Sequence, residues 1–298
     1  MTNKVLVSLI IILIPICLYI TFNNVNKQIS VPSDNSNNII VKFNKEGQDY
    51  NLSLTDYLIG VVGAEMPATF NIEALKAQAI ASRTYALYNI NNYIINTTTA
   101  EQAYNNDDEL KNKWQDKYNE YIEKISEAVN NTNNLVIKYD QQLIKSYYYA
   151  MSNGYTEDSQ AVFNESYPYL NVISSSFDSE SNNYQVTKNF SREDFCKQLN
   201  IDCSSIVISN IIKDNSNRVS TLNINNQEFS GITLRKLLNL RSTDFNINTD
   251  NNDIEITTKG YGHGVGMSQY GANYLANNGL NYQEILKYYY QNIEIDNY

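Results

Sequence analysis

The sequence predicts an α+β fold: a single mixed domain of short strands and several helices, placed behind an N-terminal transmembrane helix. Three observations carry this reading. Strand-like and helix-like segments mix without a regular βαβ beat, which disfavours a doubly wound parallel sheet. Apolar residues make up 42% of the 298, enough for a sizeable core. One uncharged apolar run, Val5 to Phe22, reaches the lower limit for crossing a bilayer at about 18 residues. The expected organisation is residues 1–4 in the cytoplasm, 5–22 as the membrane segment, 23–38 as a tether and 39–298 as one folded domain. A cleaved signal peptide competes for the apolar run. However, Thr21-Phe22-Asn23-Asn24 offers no small-x-small cleavage site, so a signal-anchor is favoured. Only Lys4 precedes the run, which puts the short N-terminus inside and exports the rest.

The elements follow in order. Asn23 to Asn38 is polar, with Pro32 and several Ser and Asn, and reads as the tether. Ile39 to Phe43 opens the first strand. Ser53 can cap a helix with Asp56 three residues on, and Leu54, Tyr57, Leu58, Val61 and Val62 give it an apolar face. Pro67 ends that helix. A second, Ala-rich helix runs from Ile72 to about Asn89, capped by Asn71. Thr97 to Asn106 is loop-like. A third helix spans Glu109 to Val129, with Trp114, Tyr118, Ile122, Ile125 and Val129 at helical spacing. Leu135–Ile137 and Leu143–Ile144 read as paired strands around Tyr139-Asp140-Gln141, and Tyr147–Met151 is strand-like. Further strands are expected at Ile206–Ile212, Val219–Ile224 and Ile254–Thr258. Short helices are expected at Thr233–Leu240, Ser268–Asn277 and Tyr282–Tyr290.

Composition excludes some functions. A net charge of -10 argues against nucleic acid as a partner. The chain has a single histidine, so any mechanism or metal site needing two imidazoles is ruled out. Cys17 lies in the membrane segment. Cys196 and Cys203 lie in and just beyond a helix-like amphipathic segment and are compatible either with a disulfide outside the membrane or with two small buried thiols. Their spacing is no zinc motif, and neither carries the surroundings of an activated nucleophile.

Five of the 11 glycines and that histidine fall in Gly260-Tyr261-Gly262-His263-Gly264-Val265-Gly266-Met267-Ser268-Gln269-Tyr270-Gly271. Alternate glycines suit a backbone with unusual angles or a close neighbour, and the polar and aromatic residues between them suit a ligand surface. Glu65 extends the apolar face of the first predicted helix by one turn, beside small residues and Pro67. A carboxyl there is either desolvated, with a raised pKa fit for a general acid, or simply turned outward at a helix end. Arg83 falls on the apolar face of the second helix, eight residues after Leu75. A buried Arg needs a partner, and Glu65, a carbonyl, an amide or a ligand would serve. Ser152-Asn153-Gly154-Tyr155-Thr156-Glu157 is by itself a turn with polar residues.

Taken together these segments resemble the stage II sporulation protein D family, whose domain also occurs in amidase enhancers. The residues that carry the resemblance are Val62-x-x-Glu65-Met66-Pro67, Ala77-Gln78-Ala79 with Ser82-Arg83-Thr84-Tyr85-Ala86, the Ser152–Glu157 cluster, Pro168-Tyr169-Leu170, and Gly262 through Ala272. It extends from about residue 39 to the C-terminus. The resemblance implies a lytic transglycosylase that cleaves peptidoglycan glycan strands freed of stem peptides, leaving 1,6-anhydro-N-acetylmuramic acid ends. Glu65 would be the acid and then the base, with Arg83 positioning the sugar or the catalytic loop. Ser152, Tyr155, Thr156, Glu157, His263, Ser268 and Gln269 would line the groove. It further implies forespore engulfment, with the domain outside the cytoplasm in the space between mother cell and forespore. Partners would be an amidase-endopeptidase resembling stage II sporulation protein P and a membrane scaffold resembling protein M. Some members bind zinc through additional Cys and His. With Cys196 and Cys203 placed elsewhere and no second His, neither metal nor cofactor is expected. The competing functions are a non-catalytic glycan-binding enhancer of an amidase and, from the residues alone, a Cys–His hydrolase.

Overall fold

The computed structural model describes residues 39–298 apart from 89, 92, 93 and 250–252. The expected membrane segment and tether lie outside the described residues, and within them no helix is long and apolar enough to cross a membrane.

The chain opens with a hairpin of β1 (Ile40–Lys45) and β2 (Gln48–Ser53), which β3 (Ile94–Asn96) joins in parallel on β1. Between them run α1 (Leu54–Glu65) and α2 (Ile72–Tyr88). Ser53 caps α1 as its spacing predicts, accepting from Asp56 N. Leu54, Tyr57, Leu58, Val61 and Val62 are all buried. Helix α2 is the central element: α1, α4, α8, α9 and β4 all pack on it. It therefore buries polar residues as well, Gln78, Ser82, Arg83 and Thr84 among them, each of which must find a partner.

The third predicted helix is broken. α3 (Asp107–Trp114) ends where Gln115 takes φ 47°, a short 3₁₀ turn follows, and α4 (Tyr118–Asn130) comes next. The break seats Trp114 on the core while α4 presents Ile125, Ala128 and Val129 to it. β4 (Leu135–Tyr139) and β5 (Gln142–Leu143) then form the expected hairpin. Asp140 and Gln141 both have positive φ, as a two-residue turn matched to strand twist requires. Of the strand-like Tyr147–Met151, only β6 (Tyr148–Tyr149) pairs as a strand. Two-residue β7 (Gly154–Tyr155), short α5 (Ser159–Phe163) and β8 (Ser174–Ser175) follow.

Residues 185–259 form an insertion with its own apolar core. It contains β9 (Gln185–Ser191), α6 (Arg192–Leu199), β10 (Ile208–Lys213), β11 (Val219–Ile224), β12 (Gln227–Ser230), α7 (Gly231–Leu237), β13 (Phe245–Asn248) and β14 (Asp253–Lys259). Two antiparallel sheets, β13-β14-β9 and β10-β11-β12, enclose Phe195, Leu222, Ile224, Leu234 and Ile256. Cys196 and Cys203 are joined in a disulfide beside this core. That settles the choice left open by their spacing and removes both sulfurs as nucleophiles. The chain returns to the main core through β15 (Met267–Ser268), parallel to β6, then α8 (Gln269–Asn277), α9 (Tyr282–Tyr289) and β16 (Glu294–Asn297) on β4. The mixed α/β architecture agrees with the expectation. The separately cored insertion does not follow from it.

Candidate active site

Glu65 is the last residue of α1 and half-buried. It stands on the wall of a cavity of about 510 Å³ lined by its neighbours Ala64 to Thr69, by Lys113, Trp114 and Tyr121, and by Ala150, Asn183, Arg241, Tyr261, Gln269 and Tyr270. The apolar stripe that ends in Glu65 fixes this placement, since burying Val61 and Val62 turns the next residue of that face toward the rim. Burial raises its pKa above the usual carboxylate range, against the lowering effects of the Ala103 amide, Gln269 and Lys113. The outward-turned alternative is thereby set aside.

Each carboxyl oxygen has a distinct neighbour. Ala103 N–H donates to Oε1 at 2.8 Å, and Gln269 Nε2 lies 3.5 Å from Oε2. Gln269 is the donor at that contact, so both oxygens accept, and the bond to Oε1 is the shorter. Lys113 Nζ donates to Gly63 O and Ala64 O at 2.8 and 3.2 Å, closing the last turn of α1. Its own pKa is lowered by burial and raised in return by Glu65. Among the described residues no other carboxylate lines the cavity. Behind Gln269 a buried polar chain runs inward: Gln269 Nε2 to Gln78 Oε1 at 3.4 Å, Gln78 Nε2 to Ser82 Oγ at 2.9 Å, then Tyr148 and Gln102. Tyr57 donates to Gln102 Oε1 at 3.1 Å. In the sequence Gln78 has a place in a family motif but no role at the site, and Gln102 is not singled out. A glutamine at a buried helical position is the signal that would have found the first of them.

Arg83 is 2% exposed. Its guanidinium donates to Val129 O at 3.0 Å, Thr132 O at 2.8 Å and Leu135 O at 3.2 Å. Of the partners its sequence position allows, the structure selects carbonyls: Arg83 caps the end of α4 and the turn into β4.

The Ser152–Glu157 cluster is a joint between the main body and the insertion. Ser152 N–H donates to Asp178 Oδ2 at 2.5 Å, and Ser268 Oγ donates to the same oxygen at 2.7 Å while capping α8. Burial pushes the Asp178 carboxyl up to about 7. Asn153 Nδ2 bonds Ser216 O and Asp244 Oδ2 at 2.8 and 2.9 Å. Glu157, 3% exposed, pairs with buried Arg218 at 3.4 Å and accepts from Ser216 Oγ. Thr156 Oγ1 donates to Asn171 O and accepts from Ile173 N. Tyr155 alone is well exposed.

The glycines of the Gly–His segment answer to backbone packing. Gly266 has φ +79°, and a Cβ there would sit 2.0 Å from Tyr147 O; Gly264 has φ +91°, and its Cβ would meet the Arg218 guanidinium at 2.5 Å. His263 sits among the rings of Tyr147, Tyr149 and Phe163. Its Nδ1 accepts from Val265 N at 3.1 Å, so Nε2 carries the proton. Desolvation first, then Arg235 and Arg218, hold its pKa down at about 3. The ring is neutral at physiological pH and does not line the Glu65 cavity. Of the nine residues expected at the site, the structure brings Glu65 and Gln269 together. Ser152, Tyr155, Thr156, Glu157, His263, Ser268 and Arg83 stand outside that cavity's lining.

A family model described as stage II sporulation protein matches residues 44–139. Stage II sporulation protein D of Bacillus subtilis (strain 168) is 39% identical over 256 residues, covering 82% of this chain and 75% of that protein. Its counterpart in Bacillus amyloliquefaciens is 37% identical over 256 residues, covering 82% and 74%. The amidase enhancer of Bacillus subtilis (strain 168) is 28% identical over 299 residues, covering 81% of this chain and 40% of its own length. With Glu65 and the glycine–histidine segment placed as described, these matches establish that the chain belongs to the stage II sporulation protein D family.

Proposed function

We propose that the protein is a membrane-anchored lytic transglycosylase, acting outside the cytoplasm on peptide-free peptidoglycan strands during forespore engulfment. The observation that carries this reading is that, among the described residues, one carboxyl lines the cavity, desolvated and with its two oxygens in unequal surroundings. A hydrolase needs a second carboxylate to activate water or to act as nucleophile. A transglycosylase supplies its own nucleophile, the C6 hydroxyl of N-acetylmuramic acid. The Glu65 carboxyl gives its proton to the glycosidic oxygen as that bond breaks. The carboxylate then takes the C6 hydroxyl proton as the C6 oxygen bonds to C1. A 1,6-anhydro ring closes and Glu65 is again protonated, so the cycle consumes no water.

The raised pKa supports the first step, and the Ala103 amide supports the second by stabilising the carboxylate. Gln269 reaches both the acid and the amide chain behind it, and so holds the donor geometry. The amidase-endopeptidase resembling stage II sporulation protein P would supply the peptide-free strand, and the scaffold resembling protein M would gather both at the membrane. Digestion of peptide-free glycan followed by mass spectrometry tests the reading. Wild-type protein should yield anhydro ends and Glu65→Gln none. Undiminished anhydro products from Glu65→Gln would refute it.

The second reading is a non-catalytic glycan-binding module that stimulates an amidase, favoured by the 28% identity to the amidase enhancer. In that case wild-type protein would bind the glycan, produce no anhydro ends and raise amidase turnover.

A further inference from the structure

The cavity at Glu65 contains, besides Lys113, a cation whose partners on the protein are incomplete. Arg241 lines it, with its guanidinium carbon 4.5 Å from the Tyr261 ring centroid. Its Nε is buried and finds no hydrogen-bond acceptor. Among the described residues Arg241 takes part in no salt bridge. Scarcity of acids does not explain this, since Asp and Glu outnumber Lys and Arg 32 to 22. The other cation of the cavity, Lys113, is already committed to two carbonyls at the end of α1. A guanidinium stacked on an aromatic face keeps its fork of donors aimed and matches a carboxylate in plane. The arrangement calls for an anion delivered by the ligand.

We propose that Arg241 binds the lactyl carboxylate of N-acetylmuramic acid and thereby makes this cavity select glycan that has lost its stem peptides. The inference rests on the glycan reading of the site. In the repeating disaccharide that lactyl group is the ionisable position. It is an amide while a peptide is attached and becomes an anion when the peptide is removed. A neutral amide offers Arg241 one carbonyl and no charge, so it returns less of the cost of desolvating the guanidinium than a bidentate carboxylate does. The paired carboxylate also needs Arg241 for a second reason. An unpaired substrate anion beside Glu65 would repel the carboxylate that forms after proton donation.

The test measures binding by calorimetry, with cleavage switched off by Glu65→Gln in every protein. The probes are peptide-free glycan oligosaccharides and the same oligosaccharides with their carboxyls converted to methylamides. The Arg241 protein should prefer the carboxylate form by roughly tenfold to a hundredfold, and the preference should shrink with added salt. Arg241→Ala should lose the preference while keeping its affinity for the methylamide, and Arg241→Lys should retain a smaller preference. Equal binding of both probes by the Arg241 protein would overturn the proposal. So would a preference that survives in Arg241→Ala, or an equal loss for both probes, which would assign Arg241 to the wall alone. Failure of the transglycosylase reading is separately visible. Wild-type protein would then make no anhydro ends, whatever the binding shows.

Discussion

The amide of Ala103 donates to Oε1 of Glu65 across 2.8 Å, from a loop 38 residues further along the chain. This bond makes the two carboxyl oxygens inequivalent, since Oε2 meets only the longer contact from Gln269 Nε2 at 3.5 Å. Glu65→Gln keeps the shape but has no acidic proton, so anhydro-product formation should fall by at least roughly 10²–10⁴-fold, with glycan binding preserved. In the wild type, activity should decline as pH rises through the raised pKa of Glu65, because the acid must start protonated. Stability has the same sign. A carboxyl whose pKa is higher folded than unfolded contributes stability below the unfolded pKa and loses it as pH climbs through the folded one. Glu65→Gln should therefore melt higher than wild type at pH 8 and match it near pH 4. A melting difference independent of pH would contradict this.

Much of this centre was legible because it rests on helical periodicity. Leu54, Tyr57, Leu58, Val61 and Val62 set the buried face of α1, and Glu65 is its next position. The Asp140-Gln141 turn was legible for the same local reason. What was not legible depends on contacts between distant segments. Nothing near Arg83 announces that it caps α4, since the carbonyls of Val129, Thr132 and Leu135 lie 46 to 52 residues away. The insertion was hidden because β9 has one buried residue in seven, so its pattern is that of a polar loop. The Gly–His segment was correctly seen as a place of close approach, but what approaches is the Tyr147–Asn153 backbone and Arg218.

Asp178 gives a second pH dependence. Its carboxyl is pushed up to about 7 by burial, and both accepted hydrogen bonds go to Oδ2. Folded pKa above unfolded again means stability present below about pH 4 and lost as pH rises toward and through 7. The loss is up to about 4 kcal/mol by the usual conversion. Asp178→Asn, which can still accept from Ser152 N and Ser268 Oγ, should flatten the melting temperature between pH 5 and pH 8. Thermal melts across that range would show it. A slope unchanged in the variant would mean that another group is responsible.

Arg83 separates positioning from catalysis. Its guanidinium holds three carbonyls and is 2% exposed, so Arg83→Met should cost roughly 3 kcal/mol or more through unsatisfied acceptors. Arg83→Lys should recover part of the loss, and turnover per folded molecule should stay within a few-fold of wild type in both. A well-folded Arg83→Lys protein with turnover lost would restore Arg83 to the substrate groove.

Gly266 and Gly279 form a controlled pair, since both have positive φ. A Cβ on Gly279 meets nothing within 4 Å, whereas one on Gly266 lies 2.0 Å from Tyr147 O. Gly279→Ala should cost only the backbone penalty of about 1 kcal/mol. Gly266→Ala adds a clash of the new Cβ with the Tyr147 carbonyl, next to the β6–β15 pairing, and should reduce soluble yield or melt far lower, by roughly 3 kcal/mol or more. Similar melting for the two variants would mean that the segment can shift away from Tyr147, and the packing account of the alternate glycines would fail.

The Cys196–Cys203 disulfide lies against the core of the insertion, away from the Glu65 cavity. It closes a short loop between α6 and the approach to β10, so chain entropy assigns it about 2–3 kcal/mol. Replacing both cysteines with Ser should lower the melting temperature by an amount that reductant produces in the wild type. Glycan binding and any anhydro-product formation should be retained at temperatures where the insertion stays folded. Loss of turnover in a folded Cys196→Ser/Cys203→Ser protein would return a cysteine to the chemistry. It would also require the disulfide to open first, because a sulfur bonded to sulfur has no thiolate with which to attack.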